Sequence, residues 1–320
     1  MIPEISVLIP AHGNVPYLTS ALDSINSNLC TQNVEIILVL DRLEPEYEKI
    51  IRAYESKYAL KIFESSIPGI VAALNMGIQE CSSKYIARLD ADDLMTPKRL
   101  QEQFYFLENN PRVAVVGSYI EIIDGNSAFV KIKKFPLTSL EISQTIQENS
   151  PFAHPAVMFR KESVEEMGSY RKFYENSEDY DLWLRLFEKY EFANIQHSLT
   201  RYREHDKQVS ILNMKKMVFA KEASIKSKNN RDLGLPELDI SFEDLTQWSK
   251  SSFGTSVRLY HKFLKRYSWF KAAESMKRKY YFMFSVYLLL SFFVSPKTFV
   301  QRIYKFIGHI LKKFYDTVKK

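Results

Sequence analysis

The chain has 320 residues, 46% of them hydrophobic and 26% charged, which excludes a disordered or fibrous polymer and leaves room for two modest domains or one large one with an appendage. Cys30 and Cys81 are the only cysteines and form no spaced pair, so a zinc module and a disulfide-stapled fold are excluded and a reducing, cytoplasmic setting is expected. The net charge of +6 conceals a division: residues 251–320 carry fifteen Lys and Arg against Glu274 and Asp316, a surplus of +13 that leaves the first 250 residues at −7 and argues against a nucleic-acid-binding domain.

The N-terminus runs straight into "ISVLIPAHGN", with no basic region and no cleavage site, so no secretory signal is expected. Ile5–Pro10 is a short apolar run of the kind found in buried parallel strands. Leu18, Leu22 and Ile25 recur at helical spacing. "VEIILVLD" (Val34–Asp41) is a second buried strand that ends in an acid. Glu46–Tyr58 reads as a helix, Leu60–Ser65 as a third strand, and Ile70–Cys81 as a helix with small residues on one face. Lys84–Asp90 is a fourth strand, Pro97–Asn109 a helix and Val113–Ile123 a fifth strand. Alternation of this kind predicts an α/β fold with a doubly wound, mostly parallel sheet. Ligands of such sheets bind beyond the carboxyl ends of the strands. The ends of the first strand (Pro10–His12), the second (Asp41) and the fourth (Asp90–Asp93) should therefore share one rim. No GxGxxG follows the first strand and no GxxxxGK[ST] occurs, which argues against a dinucleotide oxidoreductase and a P-loop NTPase.

Within "YIARLDADDLMTPKRL" (residues 85–100), Asp90, Asp92 and Asp93 fall inside four positions at a strand end. Like charges gathered there call for a cation, the alternative being a solvated acidic turn, with Asp93 also available to cap the following helix. In "NSEDYDLWLRLFEKY" (176–190), Ser177 suits an N-cap, and Glu178 and Asp179 then occupy a first turn that the helix dipole favours for acids. Asp181 is expected to face solvent or the loop beneath, and Trp183 reads as a core aromatic in preference to a sugar-stacking platform.

Taken together, "VLIPAHGNVPYLTSALDSI", "VEIILVLD", "GIVAALNMGIQECSSKYIARLDADD", "SEDYDLWLRL" and "YREHDKQVS" resemble the family 2 glycosyltransferases of GT-A fold that build bacterial surface polysaccharides. The resemblance covers about residues 4–210. In one departure, Leu40-Asp41-Arg42-Leu43 stands where the family has an Asp-Asp-Gly-Ser-like turn. The resemblance implies a GT-A catalytic domain over 1–215, with a nucleotide-sugar half (about 1–125) and an acceptor half (about 126–215). It implies Asp92 on a divalent Mn²⁺ or Mg²⁺ ion, Asp90 on the ribose or on the metal, and His205 completing the metal site or touching the diphosphate beside Arg203. Hard carboxylate oxygens suit such an ion, which would bridge a nucleotide diphosphate. Pro10, Ala11, His12 and Asp41 would meet the base, with Asn75 and Arg88 as further nucleotide candidates. Asp179 would be the general base that takes the acceptor hydroxyl's proton, with Glu178 as its positioning neighbour. His154, in "FAHPAVMFR", either binds acceptor or orders its loop.

The segment 216–258 reads as a helical linker. Beyond it, Tyr280–Val294 is uncharged but shorter than the roughly 20 residues that span a bilayer. Phe299, Ile303, Phe306, Ile307, Ile310 and Phe314 share one helical face among lysines and arginines, as in helices that lie in an anionic interface. Residues 259–320 are thus expected to hold the protein peripherally on the inner face of the cell membrane. The expected reaction is inverting, metal-dependent transfer of a hexose or N-acetylhexosamine from a UDP-sugar to a lipid-linked (polyprenyl-diphosphate) glycan. A nucleotidyltransferase is the rival enzyme, but it needs a phosphate-gripping basic loop and residues 11–15 hold no Lys or Arg. A catalytically silent membrane-surface scaffold is the non-enzymatic rival.

Overall fold

A computed structural model describes residues 2–205 and 214–238. β1 (Ile5–His12), α1 (Leu18–Asn26), β2 (Val34–Asp41), α2 (Pro45–Arg52), β3 (Ala59–Glu64), α3 (Ile70–Glu80) and β4 (Tyr85–Arg88) follow the expected alternation. β1 is buried from Ile5 to Ala11 and β2 along its whole length, as continuous apolar runs require when both faces of a sheet are covered. These strands pair in parallel in the order β3-β2-β1-β4. α2 stops at Arg52, short of the expected Tyr58. Asn26 Oδ1 accepts from Ser56 Oγ and from the Lys57 amide, both at 3.1 Å, and these bonds hold the chain off the helical path.

The second half departs from a parallel sheet. After β5 (Leu94–Met95) and α4 (Arg99–Asn109) comes β6 (Val113–Ile123), which matches the expected fifth strand but does not lie beside β4. The order continues β4-β8-β6-β9-β5, where β8 is Met158–Arg160 and β9 is Glu191–Arg203. β8 is antiparallel to both β4 and β6, whereas β6 and β9 are parallel. β7 (Phe129–Lys133) pairs antiparallel with the far end of β6. The short α5 (Ser139–Ser143), α6 (Lys161–Glu166), α7 (Glu178–Leu186) and α8 (Met214–Asp232) complete the elements.

Three side chains make the irregular centre possible. Arg99, buried on α4, donates from Nη2 to the carbonyls of Arg88 (2.7 Å) and Val157 (3.1 Å). Gln103, one turn on, donates to Val116 O and Ala156 O and accepts from Arg99 Nε. Arg160 reaches Val113 O, Leu107 O and the Tyr85 hydroxyl. Carbonyls left over where strands cross would each cost a few kcal/mol if buried without a donor, and these donors remove that cost.

The core lies on both faces of the sheet. α1 and α4 bury Leu18, Leu22, Ile25, Leu100 and Leu107 on one side. α3 and α7 bury Leu74, Ile78, Leu182, Trp183 and Leu186 on the other. Trp183 is fully buried, edge-on to Phe152 and Phe192, and is a core aromatic. Asp181 does not face solvent. It is 1% exposed and bridges Arg171 Nε (3.0 Å) and Arg185 Nη2 (2.9 Å), because α7 is buried on nearly every side and a carboxylate enclosed there needs counter-charges. Removing one partner of such a cluster strands the others, so Asp181→Ala should lower the unfolding free energy by about 3–5 kcal/mol. Urea denaturation should show this as a lower midpoint at an unchanged slope.

Of the described residues, 2–205 and 220–238 belong to one compact unit. Part of the expected linker thus folds with that unit: Tyr174 Oη donates to Ser227 Oγ (2.7 Å), Arg231 pairs with Glu188 and Arg171 pairs with Glu237. Residues 239–258 of that linker and the expected interfacial segments, 259–320, lie outside the described residues. Among the described residues no helix is long and apolar enough to cross a membrane.

Candidate active site

The expected rim is present. β1 and β2 run in register to His12 opposite Asp41, with Pro10 and Ala11 buried just before. The Asp41 carboxylate is nearly enclosed: Oδ2 accepts from the Gly69 amide (2.9 Å) and Oδ1 from Arg42 Nε (3.0 Å). His12 Nδ1 lies 2.9 Å from Asp41 O and 3.2 Å from Oδ2, while its ring stays exposed. Burial pushes the Asp41 acid upward, but the Gly69 amide, Arg42 and His12 outweigh it and hold the carboxyl below its ordinary range. Gly69 enters α3 at φ +112°, a backbone conformation that L side chains rarely adopt, and so a glycine brings that amide to Asp41.

At the end of β4 the chain turns through Asp90, Asp92 and Asp93, each of which offers one oxygen within 4.8 Å of the other two. Asp90 Oδ1 accepts from Arg88 Nη2 (2.7 Å), and Asp92 Oδ2 lies 2.9 Å from His205 Nε2. Asp93 is 1% exposed; Oδ1 accepts from the Arg203 amide (2.8 Å), and Oδ2 has no hydrogen-bond partner among the described residues. Burial, then repulsion from Asp90, raises the Asp92 acid; burial and both neighbours raise Asp93 well above its usual range. Three hard oxygen donors in mutual repulsion, one of them buried and unsatisfied, fit a divalent cation. Asp93 does not cap α4, whose preceding residue is Lys98.

α7 supplies the second acidic site. Ser177 precedes the helix but makes no side-chain cap. The Asp179 carboxylate accepts from the Tyr180 amide (2.7 Å). Glu178 is 8% exposed and its Oε2 has no partner among the described residues. Burial first, and the Asp179 charge second, push the Glu178 acid up to about 8; burial also raises Asp179. The Arg88 guanidinium draws both back down. One buried cation therefore faces the acidic strand end and the acidic helix start together.

Several expected residues have other engagements. Arg88 is 2% exposed and is held by Leu89 O and Asp90, behind the rim. Asn75 bonds both the N–H and the C=O of Tyr170, a backbone tie that leaves its amide committed. Arg203 is 1% exposed; it donates to Asp92 O and Asp124 O, to Gly125 O and Ser127 Oγ, and lies 4.2 Å over the Tyr17 ring. It straps the β6–β7 turn to the acidic loop. His154 Nε2 lies 2.7 Å from the Tyr170 hydroxyl; burial and Arg88 hold the ring well below its ordinary pKa, hence neutral.

Sequence reading missed the 167–171 turn. Tyr170 reaches His154, its backbone is tied to Asn75, and Arg185 bonds Met167 O and Ser169 O while also holding Asp181. Asp181 and Arg185 at i and i+4 within an apolar helix were the available signal.

Comparison with known proteins follows the same lines. The family model described as Glycosyl transferase family 2 matches residues 6–168, half of the chain. O-antigen biosynthesis glycosyltransferase WbnJ of Escherichia coli is 33% identical over 209 residues, which cover 63% of this chain and 80% of that one. A UDP-Gal:alpha-D-GlcNAc-diphosphoundecaprenol beta-1,3-galactosyltransferase, also of Escherichia coli, is 30% identical over 187 residues, with 57% and 67% coverage. Mannosyltransferase PcManGT from Pyrobaculum calidifontis, solved with GDP-Man and Mn²⁺, superposes with a TM-score of 0.54 at 13% identity, over 90% of this chain and 86% of that one, a likeness of fold. The strand order, the acidic strand end and a family match over half of its length agree: the chain belongs to glycosyltransferase family 2 and is a glycosyltransferase.

Proposed function

We propose that this enzyme moves a hexose or N-acetylhexosamine from a UDP-sugar to a hydroxyl of a lipid-linked oligosaccharide, with inversion and with a divalent metal, in the synthesis of a surface polysaccharide. The observation that carries the reading is the pairing of two acidic sites of different character. Asp90, Asp92 and Asp93 form an open-sided oxygen cluster at the strand ends, and Glu178 with Asp179 form a buried pair of raised pKa at a helix start. The names of the relatives support the rest: WbnJ for O-antigen synthesis, the galactosyltransferase for UDP-Gal and a diphosphoundecaprenol-linked acceptor.

Asp92 and Asp90, with His205 alongside, would hold the metal, whose chemistry is to neutralise charge on the departing diphosphate. Asp179 accepts the acceptor hydroxyl's proton as that oxygen bonds the sugar's anomeric carbon and the carbon–phosphate oxygen bond breaks. Arg88, behind both sites, offsets their repulsion. The catalytic domain is assigned to residues 1–215 together with the packed segment 220–238, and residues 259–320 to membrane contact on the inner face.

The test offers UDP-Gal, UDP-Glc, UDP-GlcNAc and GDP-Man separately, with a synthetic diphosphate-lipid acceptor, in manganese, magnesium or chelator. One UDP-sugar should be consumed only with metal, giving a product of opposite anomeric configuration by NMR. Preference for GDP-Man, retained configuration or full activity in chelator would overturn the corresponding part. The pH profile adds a further expectation. A base of raised pKa loses activity as pH falls through that pKa, so the acid limb of kcat/KM should lie above the ordinary carboxylate value of about 4. Glu178, its acid raised to about 8, is uncharged through that limb, so Glu178→Gln should leave the limb where it is; a limb that vanishes would make Glu178 the base.

A further inference from the structure

We infer that β7 and the chain that follows it form a second membrane-contact surface, one belonging to the catalytic domain and made for an anionic lipid bilayer. Every residue of β7 is exposed, on both faces of the strand. Phe129 is 60% exposed, Val130 51% and Ile132 50%, three large apolar side chains open to solvent within four residues. Lys131, Lys133 and Lys134 alternate with them, and residues 127–140 contain no Asp or Glu. The nearest carboxylates are engaged: Asp124 accepts from the Asn126 and Ala128 amides in the turn, and Glu121 faces Arg201. Lys134 lies over the Tyr119 ring and Lys133 over Phe135.

A lone edge strand needs lysines to prevent strand-to-strand association, and that need would explain the charges. It does not explain three large apolar side chains in the same five residues, which a protective edge would omit. Apolar side chains interleaved with ammonium groups, with the facing Glu121 paired to Arg201, match the interface of an anionic bilayer, where the side chains enter the headgroup layer and the lysines meet phosphates. The bulge at Val130, where the β6 register shifts between Ile122 and Ile123, leaves that residue unpaired in the ladder and weakens the strand as a template for a second copy.

The strand's position gives the contact a use. Arg203 ties the β6–β7 turn directly to Asp92 through the carbonyls of Asp124, Gly125 and Asp92. A bilayer seated on β7 would therefore lie at a fixed orientation to the acidic cluster. A lipid-linked acceptor rising from that bilayer would be delivered to the same side of the sheet. This use of the surface rests on the lipid-linked acceptor proposed above; the lipid contact itself does not.

The test uses the full chain with Ile132→Cys in a Cys30→Ser background, Cys81 being buried, labelled with an environment-sensitive fluorophore. On phosphatidylglycerol-containing vesicles the label should shift to the blue and be quenched by spin-labelled acyl chains. It should not respond on pure phosphatidylcholine, and neither should a label at Ile50→Cys, on α2 beside the opposite edge of the sheet. The triple variant F129S/V130S/I132S changes only exposed side chains. It should lower transfer to acceptor embedded in anionic vesicles by at least about tenfold, as expected for losing this much interfacial contact. Transfer to a water-soluble short-chain acceptor should be unchanged. A silent label at position 132 while the chain sediments with vesicles would assign all binding to the tail and overturn the inference, as would absence of vesicle binding altogether. A halved mass of the triple variant in light scattering would make the occupant a second copy. Failure of transfer with both acceptors would count against the proposed reaction and leave the label's result standing.

Discussion

Asp92→Asn should abolish the metal-dependent part of UDP binding and lower transfer by about 10²–10³-fold or more, the usual cost of removing one preorganised group that stabilises developing charge. The substitution keeps the side chain's shape and removes its charge. Asp92 is 30% exposed and pairs with His205 at the surface, so the fold should survive. Calorimetry of UDP binding, with and without Mn²⁺, separates the possibilities. Wild type should bind more tightly with metal, and the variant should bind the same with or without it. Equal metal enhancement in both proteins would move the ligand role to Asp90 and Asp93. Asp93 is the less accessible of these, since its Oδ1 already holds the Arg203 amide.

Asp179→Asn should leave UDP affinity within about twofold of wild type and reduce kcat by about 10²–10⁴, the range typical of general-base catalysis. The asymmetry follows from place. Asp179 stands at the start of α7 and accepts the Tyr180 amide, whereas the donor carboxylates belong to the β4 end. The amide keeps that bond and loses the ability to accept a proton. Single-turnover rates with saturating acceptor, beside UDP titrations, make the comparison. If affinity falls as far as the rate, Asp179 belongs to the donor site, and Glu178, with its unpartnered oxygen, becomes the candidate base.

The sequence was most legible where one local rule decided the outcome. Continuous apolar runs bounded by turns placed β1, β2 and β6 to within two residues, because a strand buried on both faces has no competing pattern. The acidic strand end was legible because three carboxylates in four residues conflict with their own repulsion unless something positive is near. What local patterns did not show was decided by partners far away in the chain. β8 is three residues long, and nothing local announces that Met158–Arg160 will separate β4 from β6. Arg203 and Asn75 have the chemistry of ligand contacts, yet their partners, the 124–127 turn and Tyr170, lie more than 70 residues away. Asp181 was placed outward on the assumption that helices are amphipathic, and α7 is buried on nearly every side.

The insertion of β8 bears on how the chain is made. The strands β3, β2, β1 and β4 all come from residues 5–88, so this half-sheet can assemble as soon as β4 has emerged from the ribosome. One edge of β4 then has no partner until Met158–Arg160 follows. At translation rates of about 5–20 residues per second, that wait is about 4–14 s, long compared with strand pairing. During that interval Tyr85–Arg88 is an open hydrogen-bonding edge in a nascent chain, available to neighbouring copies on the same message. Slower decoding between codons 89 and 157 would lengthen the exposure and lower the soluble yield, with no change in any amino acid.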